Sequence, residues 1–292
     1  MRAHVIGNVA LDETIRVDDL PKPGASVLGV ELSRDLGGKG ANQAVVLGRA
    51  GVACRLVAPV GQDARAAEIR AALACEPVEA RLLTLGGLRS DISINLMAAG
   101  GENAVITTNE AASGLKAAAA VGMLADASPG DLLVLQGNLG PEATRALLAE
   151  GRARGLVTAF NPSPLRDFFA GLWPLVDTVF LNEGEAEACG GVGVLLSAGV
   201  GRVALTLGPR GARLVSAAGD VAVPAAPAGV VDTTGAGDCF MATALASAAL
   251  RGVALDARAL AHAARAAALT VSRPGTVRAF PTAAELAGIL AS

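Results

Sequence analysis

Short apolar runs bounded by glycine or proline alternate along the chain with longer alanine- and leucine-rich stretches. The runs Val5–Ile6, Arg55–Val60, Leu132–Gln136, Leu156–Phe160, Thr178–Leu181, Val203–Leu207 and Arg213–Val215 predict strands. Between most of them, Gln43–Ala50, Ala64–Ala74, Pro141–Arg154 and Glu183–Ala188 have helical composition. The strands are apolar throughout rather than alternating, which predicts a parallel sheet covered by helices on both faces. Two stretches break the rhythm. Residues 12–36 and 88–108 carry polar alternation, as in Ser90-Asp91-Ile92-Ser93-Ile94-Asn95-Leu96, and the second ends on the turn-prone Gly100-Gly101-Glu102-Asn103. They predict antiparallel strands outside the main sheet, forming a small lid. A chain of 292 residues could fold as one large α/β domain or two ordinary ones. No linker or repeat divides it.

Apolar residues make up 52% of the chain but aromatics only 2%, with no tyrosine, so small aliphatics must fill the core. A net charge of −3, without a basic run, gives no general pull toward nucleic acid. Cys54, Cys75, Cys189 and Cys239 lie far apart without metal-ligand spacing, as expected of reduced thiols in a cytoplasmic protein. The opening Met1–Gly7 contains no long apolar leader, and no 18-residue uncharged apolar span predicts a membrane helix. The alanine-rich stretch 257–271 carries Arg258, His262 and Arg265, so it reads as a soluble helix.

The most informative residues are Asp232-Thr233-Thr234-Gly235-Ala236-Gly237-Asp238, just before the alanine-rich run Met241–Leu250. Gly235 and Gly237 permit a sharp turn into a helix. Backbone N–H groups there lack intrahelical partners and sit at the positive end of the helix dipole, which makes an anion site. Asp238 can be a dipole complement, or the group that takes a proton from an attacking hydroxyl. Gly37-Gly38-Lys39-Gly40-Ala41-Asn42-Gln43 opens another helix but lacks P-loop spacing. It reads as a turn with one solvated lysine, or as a loop where Lys39 and Asn42 donate to a polyhydroxylated small molecule. Asn182-Glu183-Gly184-Glu185 follows a predicted strand, where open α/β sheets place ligands. Metal or phosphate organisation and an ordinary helix cap are both open there. Thr206-Leu207-Gly208-Pro209-Arg210-Gly211 is a structural turn or a nucleotide-edge loop.

Taken in this order, these motifs resemble the ribokinase-type sugar kinases of the phosphofructokinase-B class, from the first strand to about Pro281. The resemblance implies a single three-layer α/β/α domain over residues 1–292, with a central mostly parallel sheet and a β lid. It also implies transfer of the ATP γ-phosphoryl group to a sugar hydroxymethyl group. Asp238 falls on the catalytic base, and Gly235, Ala236 and Gly237 on the anion hole. Asp12, Gly38, Lys39, Gly40 and Asn42 fall on substrate positions. Asn182 and Glu185 fall on the motif that organises magnesium and phosphate. Thr206, Gly208, Arg210, Gly211, Gly237 and His262 fall on nucleotide contacts. Asp232, Thr234, Thr270, Arg273, Gly275 and Ala279 match a monovalent-cation site, with potassium the expected ion. The expected partners are a small sugar and ATP, with neither nucleic acid nor membrane, and a second copy of the chain docked through the lid.

The sugar pocket departs from the pattern. The asparagine expected two residues before Asp12 is Ala10, and Leu135-Gln136-Gly137-Asn138 stands where a glutamate is expected. Asn8, Gln136 or Asn138 are candidate replacements. A nucleoside, another furanose or a ketose therefore rivals ribose as acceptor, and a non-catalytic sugar sensor is the rival from another class.

Overall fold

A computed structural model describes residues 1–100 and 102–292. In chain order the first strands are β1 (Ala3–Ile6), β2 (Ala10–Val17), β3 (Gly29–Gly37), β4 (Cys54–Val60), β5 (Glu79–Thr84), β6 (Asp91–Ala98) and β7 (Asn103–Thr107). They are followed by β8 (Leu132–Gln136), β9 (Val157–Asn161), β10 (Thr178–Asn182), β11 (Arg202–Thr206), β12 (Ala212–Ser216) and β13 (Gly219–Val223). The helices are α1 (Lys39–Arg49), α2 (Ala64–Leu73), α3 (Glu110–Gly114), α4 (Ala117–Gly122) and α5 (Pro141–Ala153). Those of the second half are α6 (Glu183–Ala188), α7 (Val192–Ser197), α8 (Ala236–Arg251), α9 (Ala257–Val271) and α10 (Ala283–Leu290).

Nine strands form the main sheet in the order β13-β12-β11-β10-β9-β8-β1-β4-β5. The ladders from β11 through to β5 are parallel, and only the hairpin edge β11-β12-β13 is antiparallel. Alternate residues of one strand serve two cores. In β8, Leu132 and Val134 join the core under α1, α8 and α9, whereas Leu133 and Leu135 join the core under α5 and α7. The sheet is thus the middle of three layers. Alanine, valine and leucine fill both cores, as the composition requires. The few aromatics are divided between them: Phe180, Phe240 and Phe280 lie in the first core, and in the second Phe160 meets Phe169 edge-on at 5.0 Å, with Trp173 at 6.3 Å from Phe160.

β1 and β8 are neighbours, yet the chain winds from β1 toward β4 and β5 and from β8 toward β9, β10 and β11. Their carboxyl ends therefore flank a topological switch point, where such sheets open a crevice. The lid is a separate sheet, β3-β2-β6-β7, rising beside that crevice. It corrects one expectation. β2 pairs β3 antiparallel, and β6 pairs β7 antiparallel, but β2 and β6 run parallel. Polar alternation identifies a half-exposed strand, and it carries no information about the direction of its partner. The expected closing turn Gly100–Asn103 includes Gly101, which lies outside the described residues.

Candidate active site

The carboxyl ends of β9, β10 and β11 and the start of α8 border a cleft. Lys39, Asn161, Asn182, Glu185 and Thr206 line it together with Thr233, Gly235, Gly237 and Asp238. α8 begins after Gly235, whose φ of 73° is the left-handed region. A β-carbon at that position would meet the Phe280 ring at 2.7 Å, so both the turn and the packing demand glycine. No side chain caps this N-terminus. The Ala236 amide donates to the Thr233 carbonyl at 3.3 Å, which leaves the Gly237 amide for a ligand, and nothing would crowd a β-carbon at Gly237.

Asp238 sits in the same first turn and is buried. Both carboxylate oxygens are held: Asn42 Nδ2 donates to Oδ2 at 2.9 Å and Gln43 Nε2 donates to Oδ1 at 2.9 Å. Lys39 Nζ stands 3.9 Å from Oδ1. These donors come from α1, which starts at Gly38 (φ 88°). A β-carbon on Gly38 would fall 2.9 Å from the backbone of Val9 and Ala10, so glycine lets α1 approach the β1–β2 connection. The Asn42 Oδ1 atom is enclosed without a partner.

Next to Asp238, buried polar side chains meet at the switch point. Gln136 Nε2 donates to Gln43 Oε1 at 2.7 Å, and Asn138 Nδ2 donates to Asn8 Oδ1 at 3.1 Å. Asn8 Oδ1 also accepts from the Gly40 amide at 3.3 Å. Asn8, Gln136 and Asn138 are all buried. Asp12, from β2 of the lid, accepts a 2.9 Å hydrogen bond from Thr276 Oγ1. Burial, and then the nearby Asp238 and Asp35 carboxylates, push Asp12 up to about 6, against the Thr276 hydrogen bond, which pulls it down. Ala10 is fully buried at the start of β2. Gly137 cannot carry a side chain at all, because a β-carbon would lie 2.4 Å from the Pro164 carbonyl. The polar group at this turn is supplied by Asn138.

The nucleotide-side motifs are quieter. Asn182 and Glu185 form a capping box at the start of α6: Asn182 Oδ1 accepts from the Glu185 amide, and Glu185 Oε2 accepts from the Asn182 amide, each at 2.9 Å. The helix-cap reading is thus realised, and both residues also line the cleft. Thr206 reaches the cleft, with its hydroxyl 3.4 Å from the Leu181 carbonyl. Gly208, Pro209 and Arg210 are exposed while Gly211 is buried, and Arg210 pairs with Glu183. His262 is not brought into the cleft. Its ring is buried between Ser247 Oγ, 2.8 Å from Nδ1, and the Ser292 carbonyl, 3.0 Å from Nε2.

The two halves of the expected cation site do meet. Asp232 accepts from the Thr234 amide at 2.9 Å and from the Gly275 amide at 3.1 Å, and its own amide donates to the Val271 carbonyl at 3.1 Å. Ala279 is buried beside this segment. The Thr270 hydroxyl is bonded to the Ala266 carbonyl, and Arg273 pairs with Glu285 through its guanidinium, so neither side chain is spare. Among the described residues no group of three or more His, Cys, Asp or Glu could hold a metal ion. A divalent ion here would take most of its oxygens from phosphates, as magnesium commonly does.

Gln43, Asn161, Thr233 and Thr276 are site residues that sequence reasoning did not single out. Asn161 had a usable signal, since it ends a predicted strand just as Asn182 does. Thr276 had none, standing 264 residues from Asp12.

A family model described as pfkB family carbohydrate kinase matches residues 2–283. Ribokinase of Haemophilus influenzae is 26% identical over 220 residues, covering 71% of this chain and 72% of that protein. The structure of ribokinase from Giardia lamblia superposes with a TM-score of 0.89 at 25% identity, over 99% of each chain. That of ribokinase from Cryptococcus neoformans in complex with ADP gives 0.82 at 25%, over 98% of this chain and 99% of that one.

Proposed function

The chain belongs to the pfkB family of carbohydrate kinases, and within that family we propose that it transfers the γ-phosphoryl group of ATP to the hydroxymethyl group of D-ribose. The observation that carries this reading is Asp238, buried in the first turn of an uncapped helix with both oxygens held by carboxamides of α1. Asp12 stands on the lid side, while Lys39 shares the cleft with Asn182 and Thr206. Asp238 takes the proton of the sugar hydroxyl as its oxygen bonds to the γ-phosphorus, and the bond to the ADP oxygen breaks. The amides at the start of α8 stabilise the charge on the phosphoryl oxygens. Magnesium, when bound, would neutralise phosphate charge, and Asn182 and Glu185, which line the cleft, are the residues that would help to organise it. A monovalent cation, potassium by preference, would sit where Asp232 ties Thr234 to Gly275 and so order the anion hole.

Asn8 and Asn138 are read as the groups that replace the missing sugar contacts. Each keeps one amide atom that is neither hydrogen-bonded nor fully enclosed. This arrangement also admits another furanose as acceptor. The lid exposes Val27, Leu28, Val30 and Leu32 with Val105 and Ile106, and Leu28 is 96% exposed. We read this as the face where a second copy docks in a cytoplasmic homodimer, and Leu28→Asp should leave a monomer by light scattering. An ADP-release assay over pentoses, hexoses and nucleosides tests the main proposal. Ribose should give the highest kcat/KM, and no turnover with any acceptor would overturn it.

A further inference from the structure

Asp238 has one feature that the transfer reaction alone does not explain. A carboxylate rotates broadly about its last torsion, whereas a base must keep one lone pair on the attacking hydroxyl. Here each oxygen is claimed by a different carboxamide, Oδ2 by Asn42 and Oδ1 by Gln43. A carboxamide could itself turn over and present its oxygen, which would repel the carboxylate. At Gln43 that is prevented from behind. Gln136 Nε2 donates to Gln43 Oε1 at 2.7 Å, and both side chains are completely buried. The chain of hydrogen bonds has only one self-consistent polarity, because Asp238 can only accept when ionised. Gln43 must then donate forward and accept from behind, and Gln136 must donate. Gln136 is fixed in turn by close packing on the β1 end, where its Oε1 occupies the place a Gly7 side chain would need. That oxygen has no partner. The residue therefore keeps a buried acceptor unsatisfied in order to aim its donor.

We infer that Gln43 and Gln136 are positioning residues for phosphoryl transfer, Gln136 setting the sense of the Gln43 carboxamide and Gln43 setting the plane of the Asp238 carboxylate. The inference rests on the reading of Asp238 as the base. Asp238→Asn, measured alongside, separates the two: if that variant stays active, the base reading fails, whatever the glutamines do. The other charged groups facing Asp238 are Lys39 and Asp12, and both are left intact in the test.

The variants are Gln43→Met, Gln136→Met and their double, each assayed for kcat and for both KM values as a function of pH, with thermal unfolding as the fold control. Gln43→Met should lower kcat about 10- to 100-fold, the range for a hydrogen bond to a charged group, with the ATP KM within about threefold. The acid limb of kcat/KM should move to higher pH, since a lost donor disfavours the ionised base. Gln136→Met should shift both in the same direction but by less. In the Gln43→Met background it should add less than about twofold, because it acts only through Gln43. Additive losses, or a wild-type kcat in Gln136→Met, would overturn the relay. Should the apolar variants not fold, Gln136→Glu keeps the shape but can only accept once ionised. Its kcat should fall as pH rises over a range where the wild type is flat, and a profile parallel to wild type up to about pH 9.5, well beyond the ordinary carboxylate range, would equally overturn it.

Discussion

The two ends of the cleft are built on opposite plans. At the end proposed to hold the sugar, six buried side chains form two hydrogen-bonded groups, Asn42–Asp238–Gln43–Gln136 from α1, β8 and α8, and Asn8–Asn138 from the connections after β1 and β8. At the end proposed to hold the nucleotide, the polar groups are exposed or satisfied within their own neighbourhood: Asn182 with Glu185, Arg210 with Glu183. Two helix N-termini make the contrast sharp. α6 is closed by a capping box, while α8 has no side-chain cap. A capped terminus contributes about 0.5–2 kcal/mol to local stability. An uncapped one keeps its amides for a ligand. Preorganisation is thus concentrated around Asp238, the proposed base, and the proposed nucleotide end spends its polar groups on holding loops.

Breaking the sugar end should cost most. Asp238→Asn is nearly isosteric and should reduce kcat about 10²–10⁴-fold while leaving the ATP KM and the unfolding temperature close to wild type. Retention of a third or more of the turnover would remove Asp238 as the base. Next is Gly235→Ala, which forces a side chain into a left-handed backbone and against Phe280. Strain and overpacking together should destabilise the fold by about 2–4 kcal/mol, read as a lowered denaturation midpoint.

Asp12 gives a smaller effect with a definite sign. Its folded pKa is raised to about 6 from the ordinary 3.8, so the ionised carboxylate weakens the folded state above pH 6. Protonation relieves this as pH falls from about 6 toward 4. Asp12→Asn should therefore raise the unfolding free energy by about 2–3 kcal/mol at pH 8, and the gain should vanish near pH 4. A pH-independent difference would show that Asp12 is not strained by burial. The least effect belongs to the nucleotide end. Arg210→Ala breaks an exposed ion pair and should change the ATP KM by less than about threefold. A tenfold rise would mean that this end is also preorganised, and the contrast would collapse.

How much of this the sequence disclosed depended on where each signal lay. α6 and α9 occupy the stretches that their composition predicts, and β8 matches its run residue for residue. β5 and β13 were not expected, because Glu79–Thr84 and Gly219–Val223 are short edge strands with charged or polar residues among the apolar ones. α1 starts four residues before the predicted Gln43, its glycines hiding the first turn. Asp238, Lys39 and Asn42 were legible as two glycine-rich helix starts, and the structure brings them together. The partners of Asp238 through Gln43 and Gln136 were not legible, since a glutamine in a helix or strand reads as any other polar residue until its neighbour in space is known. In Leu135-Gln136-Gly137-Asn138, where a glutamate is expected, only the packing against Pro164 shows that Gly137 can carry no side chain.

The bond from Thr276 to Asp12, with Arg278 bound to Asp35 at 2.9 Å, ties the lid to the segment whose Gly275 amide holds Asp232. If the cation binds there as proposed, whatever factor occupancy at one of these places applies to affinity at the other must be the same in both directions. On that proposal, sugar should tighten the retention of potassium as much as potassium tightens that of sugar, and titrations run each way should close the thermodynamic square. With Thr276→Val the two ligands should bind as strangers.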